Sequence, residues 1–214
     1  MWKRAKIIPI VKPGKETSDD ISKYHPISLI NTAAKVLEKV LINKIMHMYS
    51  NNLMSKNQYG FTPQTSAVDT VMALKDFVQN SLNDGQYVAL VSLDVKGAFD
   101  AAWRPSILTS LKILKCPRNL YNLCVSYFNE RSAILLLNSS KEQRKISKGC
   151  PQGSASGPGF WNLQYNSLLN LEYMRNTKVI AYADDLMILT KRKTQVEVEN
   201  YANIDIKGCK VGQR

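Results

Sequence analysis

Short apolar runs and longer amphipathic stretches divide the chain. Lys6–Val11 (KIIPIV) has the length and β-branched content of a strand, and the turn-forming Lys12-Pro13-Gly14-Lys15 follows it. Glu16–Lys23 is acidic and polar and reads as a loop. From Asn31 or Thr32 onward, Val36, Leu37, Val40, Leu41, Ile45 and Met48 recur at helical spacing. A second helix starts near Ser66, where Ser66 and Asp69 have capping-box spacing, and Asn83-Asp84-Gly85 stops it. Its stripe is Val68, Val71, Met72, the Lys75 stem, Val78 and Leu82, and both stripes are expected to face a core.

Val88–Asp94 (VALVSLD) is an apolar run that closes on an acid. Pro105–Lys115 and Arg118–Asn129 are amphipathic helices, Ala133–Leu137 a strand, Ser139–Gln143 a polar turn and Arg144–Lys148 a basic strand. The glycine-rich segment Gly149–Gly159 leads into a helix from about Phe160 to Leu171. Val179–Leu189 (VIAYADDLMIL) breaks in mid-course at Ala183-Asp184-Asp185 and resumes, the pattern of a buried hairpin with two acids at its tip. After Thr190 the chain turns polar, with weak helical periodicity from Val196 to Ala202, and 204–214 is expected to be a frayed or truncated tail. The irregular succession of strands and helices predicts an α+β fold, an antiparallel sheet backed by helices.

Composition narrows the partners. The 214 residues carry 29 basic against 17 acidic side chains, a formal charge of +12 that points to a polyanion. No apolar stretch reaches the roughly 20 residues a membrane helix needs, and Met1-Trp2-Lys3-Arg4 opens no signal peptide, so an intracellular protein is expected. Nucleus and cytoplasm both stay open, because Lys191-Arg192-Lys193 is too short for an import signal. Cys116, Cys124, Cys150 and Cys209 lack CxxC spacing, which predicts reduced thiols; with only His25 and His47 beside them, zinc is not expected.

Acids at the ends of buried strands call for a partner. If the two acid-bearing runs are neighbours, Asp94 and Asp184 lie a few ångströms apart. Unit charges about 4 Å apart at an effective dielectric near 20 repel by roughly 4 kcal/mol. Divalent cations cancel that repulsion, and Mg²⁺ is commonly held by one or two carboxylates together with substrate phosphates. A two-metal phosphoryl-transfer site is therefore the leading expectation.

Six segments in order, WKRAKIIPIVKPGK, YHPISLI, NQYGF, VSLDVKGAFDAAW, KGCPQGSASGPGFWN and AYADDL, resemble the reverse transcriptase domain of non-LTR (LINE-type) retrotransposons, from residue 2 to about residue 203. The resemblance implies a right-hand polymerase. Fingers would be formed by about 1–85 with part of 105–175, and an antiparallel palm by about 86–104 and 176–203; the thumb would be absent. It implies RNA-directed DNA synthesis on an RNA template and DNA primer from deoxynucleoside triphosphates, with two Mg²⁺ ions (or Mn²⁺). Asp94 and Asp184 would bridge the ions, and Asp185 would be a further ligand or support them from outside.

The same resemblance places Lys12, Lys15, His25, Val95, Phe99 and Gln152 at the nucleotide. Phe99 would pack under the sugar and exclude a 2′-hydroxyl, and the backbone N–H groups of Val95–Ala98 would cradle phosphates, eased by glycine at Gly97. Gln58, Gly60, Phe61, Pro151 and Gly153 would guide the template. Related enzymes carry arginine where this chain has His25, and imidazole replaces a bidentate guanidinium poorly. Weaker triphosphate binding and weak or no synthesis by these residues alone are therefore expected. Asp100 is left out of catalysis, and Cys150 reads as a buried structural thiol. Two alternatives stand beside this reading: a silent nucleic-acid-binding relic of such an element, and a group II intron type of reverse transcriptase.

Overall fold

A computed structural model describes residues 2–16, 20–49, 54–95, 97–137 and 140–212. The expected loop at Thr17–Asp19, the nest residue Lys96 and the turn residue Ser139 lie outside them. Among the described residues the strands are β1 (Arg4–Val11), β2 (Tyr24–Leu29), β3 (Tyr87–Asp94), β4 (Ser132–Leu137), β5 (Ser140–Lys145), β6 (Thr177–Tyr182) and β7 (Asp185–Arg192). The helices are α1 (Thr32–Tyr49), α2 (Ala67–Asn83), α3 (Ala98–Ala101), α4 (Arg104–Ile113), α5 (Arg118–Phe128), α6 (Gly157–Leu169) and α7 (Gln195–Gly212). They gather into two compact units, Met1–Asn51 with Gly97–Trp161, and Asn52–Lys96 with Asn162–Arg214. The α+β expectation is met.

The first unit carries a four-stranded sheet in the order β2-β1-β4-β5. Its β1–β2 and β4–β5 pairs are antiparallel, whereas β1 and β4 run parallel. The β1–β4 ladder ends at Ile7, so Pro9, which has no N–H to give, lies beyond it. The core buries Leu41, Ile45, Ile107, Leu111, Tyr127, Phe128 and Phe160. Within it, the buried Glu38 carboxylate accepts from the Tyr127 hydroxyl (2.7 Å) and the Ala155 N–H (2.8 Å) and lies 3.8 Å from the Arg131 guanidinium. A buried charge is tolerated when paired and hydrogen-bonded in this way.

The second unit is built on an antiparallel sheet in the order β3-β7-β6, with α2 against β3 and β6 and α7 against β7 and β3. Central β7 buries Leu186 and then Ile188, Leu189 and Thr190 in a row, with Met187 partly buried between, as a strand covered on both faces does. Ser66 caps α2 reciprocally with Asp69, as its spacing predicts.

Several expectations need correcting. Val68 and Val71 of α2 are 69 % and 60 % exposed, and Met72, Leu82, Val36 and Val40 also face solvent. Helical spacing is right in both helices, and on α1 Leu41 and Ile45 of the expected stripe are buried, but packing also turns Glu38 inward there and Thr70 and Ser81 on α2. The proposed turn at Ser139–Gln143 is instead mostly strand, because β5 begins at Ser140 opposite Leu137. Its polarity is that of an exposed edge. The frayed tail is helical to Gly212, since Asp205 accepts from the Met174 N–H (2.9 Å) and the Thr177 hydroxyl (2.7 Å) while Val198, Ala202 and Cys209 are buried. Finally, residues 52–85 cluster with β3 rather than with β1 and β2, so compactness divides the chain elsewhere than the expected boundary near residue 85.

Candidate active site

In the second unit the sheet register delivers the acids. Asp94, last residue of β3, is the cross-strand partner of Asp185, first residue of β7, and Asp185 is also paired with Tyr182 at the end of β6. Directly opposed residues share a face with Cβ atoms roughly 5 Å apart. Asp184 precedes Asp185 in the two-residue connection between β6 and β7. Burial, then the Asp184 charge, then the Asp94 charge raise the Asp185 carboxyl above the usual carboxylate range. The three acids anticipated from the sequence therefore act on one another in the folded chain.

The hairpin tip is held from behind. Ala183 has φ 59°, the left-handed region that tight hairpins need and that side chains other than glycine rarely adopt. Gln58 is 4 % exposed, and its Nε2 donates to the Ala183 carbonyl (3.1 Å) while its Oε1 accepts from the Ala183 N–H (3.1 Å) and the Gly60 N–H (2.9 Å). A Cβ on Gly60 would stand 2.0 Å from the Ala183 nitrogen, so only glycine fits there. Tyr165 donates its hydroxyl to the Asp184 carbonyl (3.2 Å), and Asn162 Nδ2 donates to the Gly60 carbonyl (3.1 Å). Burial, followed by the charges of Asp184 and its neighbours, raises the Tyr165 phenol. Neither Tyr165 nor Asn162 was singled out from the sequence, where each reads as one more residue of a helix. Phe61 is half-exposed with φ 57°, and Val95 is half-buried just past β3.

The first unit holds the remaining expected residues. Lys12 donates its ammonium to the Ser22 carbonyl (2.8 Å) and Lys15 is exposed. His25 is exposed on edge strand β2. Gly97, with φ 65°, takes the left-handed conformation that starts α3, and the Phe99 ring lies 5.9 Å from that of Trp161. The Gln152 carbonyl accepts from the Ser28 N–H of β2 (2.8 Å), and its side-chain Nε2 donates to the Asp100 carboxylate (3.2 Å). Pro151 is half-buried and Gly153 exposed in the same loop. Burial raises the Asp100 carboxyl, and the nearby His25 works against it. Arg104, buried, braces this loop by donating to the carbonyls of Gly149 (3.2 Å), Lys148 (3.2 Å), Ile146 (2.6 Å) and Phe128 (2.9 Å). Burial lifts the Cys150 thiol to about 12, so at neutral pH it is a protonated structural group.

Among the described residues, no group of three or more His, Cys, Asp or Glu side chains is placed to hold a metal ion. The donor set nevertheless suits a hard cation. Asp94, Asp184 and Asp185 offer only carboxylate oxygens, and their mutual repulsion is what a cation relieves. Mg²⁺ keeps several waters and takes substrate phosphates, so it does not require a full protein cage.

The antiparallel three-stranded sheet with paired acids at one end of its hairpin has the form expected of a polymerase palm. The chain belongs to the reverse transcriptase (RNA-dependent DNA polymerase) family, which matches residues 10–206. It is 31% identical over 200 residues to the RNA-directed DNA polymerase from mobile element jockey of Drosophila melanogaster, covering 90% of this chain and 22% of that one. It is 28% identical over 208 residues to the Pol polyprotein of retrotransposable element R1 from Bradysia coprophila, covering 97% and 20%. These are polymerases of the non-LTR kind that the segments resemble, and the chain spans about a fifth of their length. In fold it is similar to an apo telomerase of Candida tropicalis truncated from the C-terminal domain, with a TM-score of 0.68 at 13% identity over 96% of this chain and 46% of that one. No helix among the described residues is long and apolar enough to cross a membrane.

Proposed function

We propose that this chain is the polymerising core of a non-LTR retrotransposon reverse transcriptase, which extends a DNA primer on an RNA template from deoxynucleoside triphosphates. The observation that carries the reading is the cross-strand pairing of Asp94 with Asp185, one residue from Asp184. In the reaction the primer 3′-oxygen attacks the α-phosphorus and pyrophosphate leaves. Asp94, Asp184 and Asp185 would hold two Mg²⁺ ions, or Mn²⁺ in their place. Bound there, such ions lower the pKa of the attacking hydroxyl and neutralise charge on the triphosphate.

The chain's own residues bind and orient the reactants. Lys12, Lys15 and His25 meet triphosphate charge, and Val95 offers its backbone N–H. Phe99, backed by Trp161, gives the apolar wall against which a deoxyribose fits and a 2′-hydroxyl does not. Gln152 offers its amide oxygen to a polar edge of the nucleotide. Pro151, Gly153 and Phe61 line the template path. The surplus of 12 positive charges attracts both nucleic-acid strands.

The test is primer extension on an RNA template with Mg²⁺ or Mn²⁺, by this chain alone and joined to the C-terminal remainder of the R1 relative. Weak or no synthesis is expected from the chain alone and synthesis from the longer form, with Asp94→Ala or Asp184→Ala abolishing it. Full activity in Asp184→Ala overturns the reading.

A further inference from the structure

We propose that Gln58 is a positioning residue for the acidic hairpin tip: its amide holds both the N–H and the C=O of Ala183 and so aims the Asp184 and Asp185 carboxylates that follow. The proposal rests on the reading of those acids as cation holders, and it gives Gln58 a different task from the template contact its motif suggests.

A β-hairpin closed by two residues is set by its turn, and this turn places a non-glycine residue in the left-handed region. Such a conformation persists where surrounding groups over-determine it. Gln58 supplies the determination. Ala183 offers one donor and one acceptor, and a primary amide is the side-chain group that answers both at once. The two bonds, each 3.1 Å, leave Ala183 no rotation that keeps them both. The second lone pair of Oε1 is taken by the Gly60 N–H. With its oxygen fully occupied and the side chain 4 % exposed, Gln58 is turned to the protein and shielded from a nucleic-acid strand.

The amide is itself held in place. Residues 57–59 run alongside β6, with Ala181 N–H donating to the Asn57 carbonyl (2.8 Å) and Tyr59 N–H donating to the Ala181 carbonyl (2.9 Å). The bare Cα of Gly60 lets this segment approach the turn closely. Tyr165 fixes the next peptide group through the Asp184 carbonyl. Three peptide groups in succession, 182–183, 183–184 and 184–185, are thereby pinned at the turn. Asparagine is one methylene too short for the same grip, and glutamate sets a carboxylate oxygen against the Ala183 carbonyl.

Three measurements on the 214-residue chain decide the matter: amide hydrogen exchange at 183–186, Mn²⁺ binding by electron paramagnetic resonance, and anisotropy with a fluorescent RNA strand. Gln58→Ala is expected to speed exchange at the tip at least tenfold and weaken Mn²⁺ binding about tenfold, the lower end for removing an outer support of a metal ligand. RNA affinity should stay within about twofold of the parent. Gln58→Met keeps the side-chain length and loses both donor and acceptor, so it should match Gln58→Ala at the tip. By filling the space it also guards against a Gln58→Ala chain that does not fold, with exchange across α7 reporting that the unit is intact. A tenfold loss of RNA binding with unchanged exchange and Mn²⁺ affinity overturns the proposal and makes Gln58 a template contact; so does no change in either exchange or Mn²⁺ binding. If the parent binds no Mn²⁺, the cation reading fails, and exchange alone decides whether Gln58 holds the turn.

Discussion

Asp94 and Asp185 are directly opposed across the β3–β7 ladder, two like charges where sheets ordinarily avoid them. At roughly 5 Å their repulsion lies between about 1 kcal/mol in bulk water and about 3 kcal/mol at an effective dielectric of 20. Both side chains are exposed, so the lower figure is the closer one. The arrangement sacrifices some stability for a concentration of negative charge.

Asp185→Asn should consequently raise the melting temperature in the absence of divalent cations. The folded chain holds the Asp185 proton more tightly than the unfolded chain does. Its contribution is thus fully present below the unfolded pKa near 4 and declines as pH rises through the higher folded value. A gain of a few degrees is the ceiling, since about 1 kcal/mol corresponds to roughly 2–4 °C at this size. Thermal melts at pH 4 and pH 7 in a chelating buffer check it: the gain should appear at pH 7 and shrink at pH 4.

Asp100, set aside in the sequence, holds the Gln152 amide. An ionised carboxylate only accepts, so Nε2 must face it and Oε1 is turned outward. Asp100→Ala should weaken deoxynucleotide binding about fivefold, the equivalent of one net hydrogen bond of about 1 kcal/mol. Asp100→Asn, which still accepts, should recover most of it. Fluorescence titration with a labelled nucleotide reads both.

Arg104 donates to four backbone carbonyls beneath the Gly149–Gly153 loop. Lysine has a single nitrogen and cannot reach all four. Arg104→Lys should destabilise by about 2–4 kcal/mol, because buried carbonyls are left without donors. Urea titration gives the value, and an unchanged midpoint would show that the bonds do not matter.

His25→Arg should raise triphosphate affinity. The residue sits exposed on β2, close enough to Asp100 to influence its carboxyl. A guanidinium there offers a permanently charged bidentate fork that imidazole lacks. Titration with a labelled triphosphate tests this, and an unchanged affinity would remove His25 from the triphosphate.

Much of this was legible in the chain itself, and what was missed has a physical pattern. The strand ending at Asp94 and the hairpin carrying Asp184 and Asp185 were readable because apolar runs that stop at acids are rare in ordinary cores. Helices α1 and α2 were readable from spacing, and so were the inward Leu41 and Ile45 of α1, but the burial of Thr70 and Glu38 was not, because it is decided by neighbours far along the chain. Helix α7 left only a weak trace over Val196–Ala202 and its second half was missed, because its inward stripe, Val198, Ala202, Asp205 and Cys209, includes an acid. The grip of Gln58 on Ala183 spans 125 residues and leaves no local trace.

The outward row on α2 has a practical bearing. Val68, Val71, Met72 and Leu82 give one side of a surface helix the character of oil, on a molecule otherwise kept apart by its positive charge. Raising salt removes the mutual repulsion and leaves the greasy side in force. Concentrated stocks should thus cloud in high-salt buffers and clear again on dilution into low salt, and Val71→Lys should keep them clear throughout.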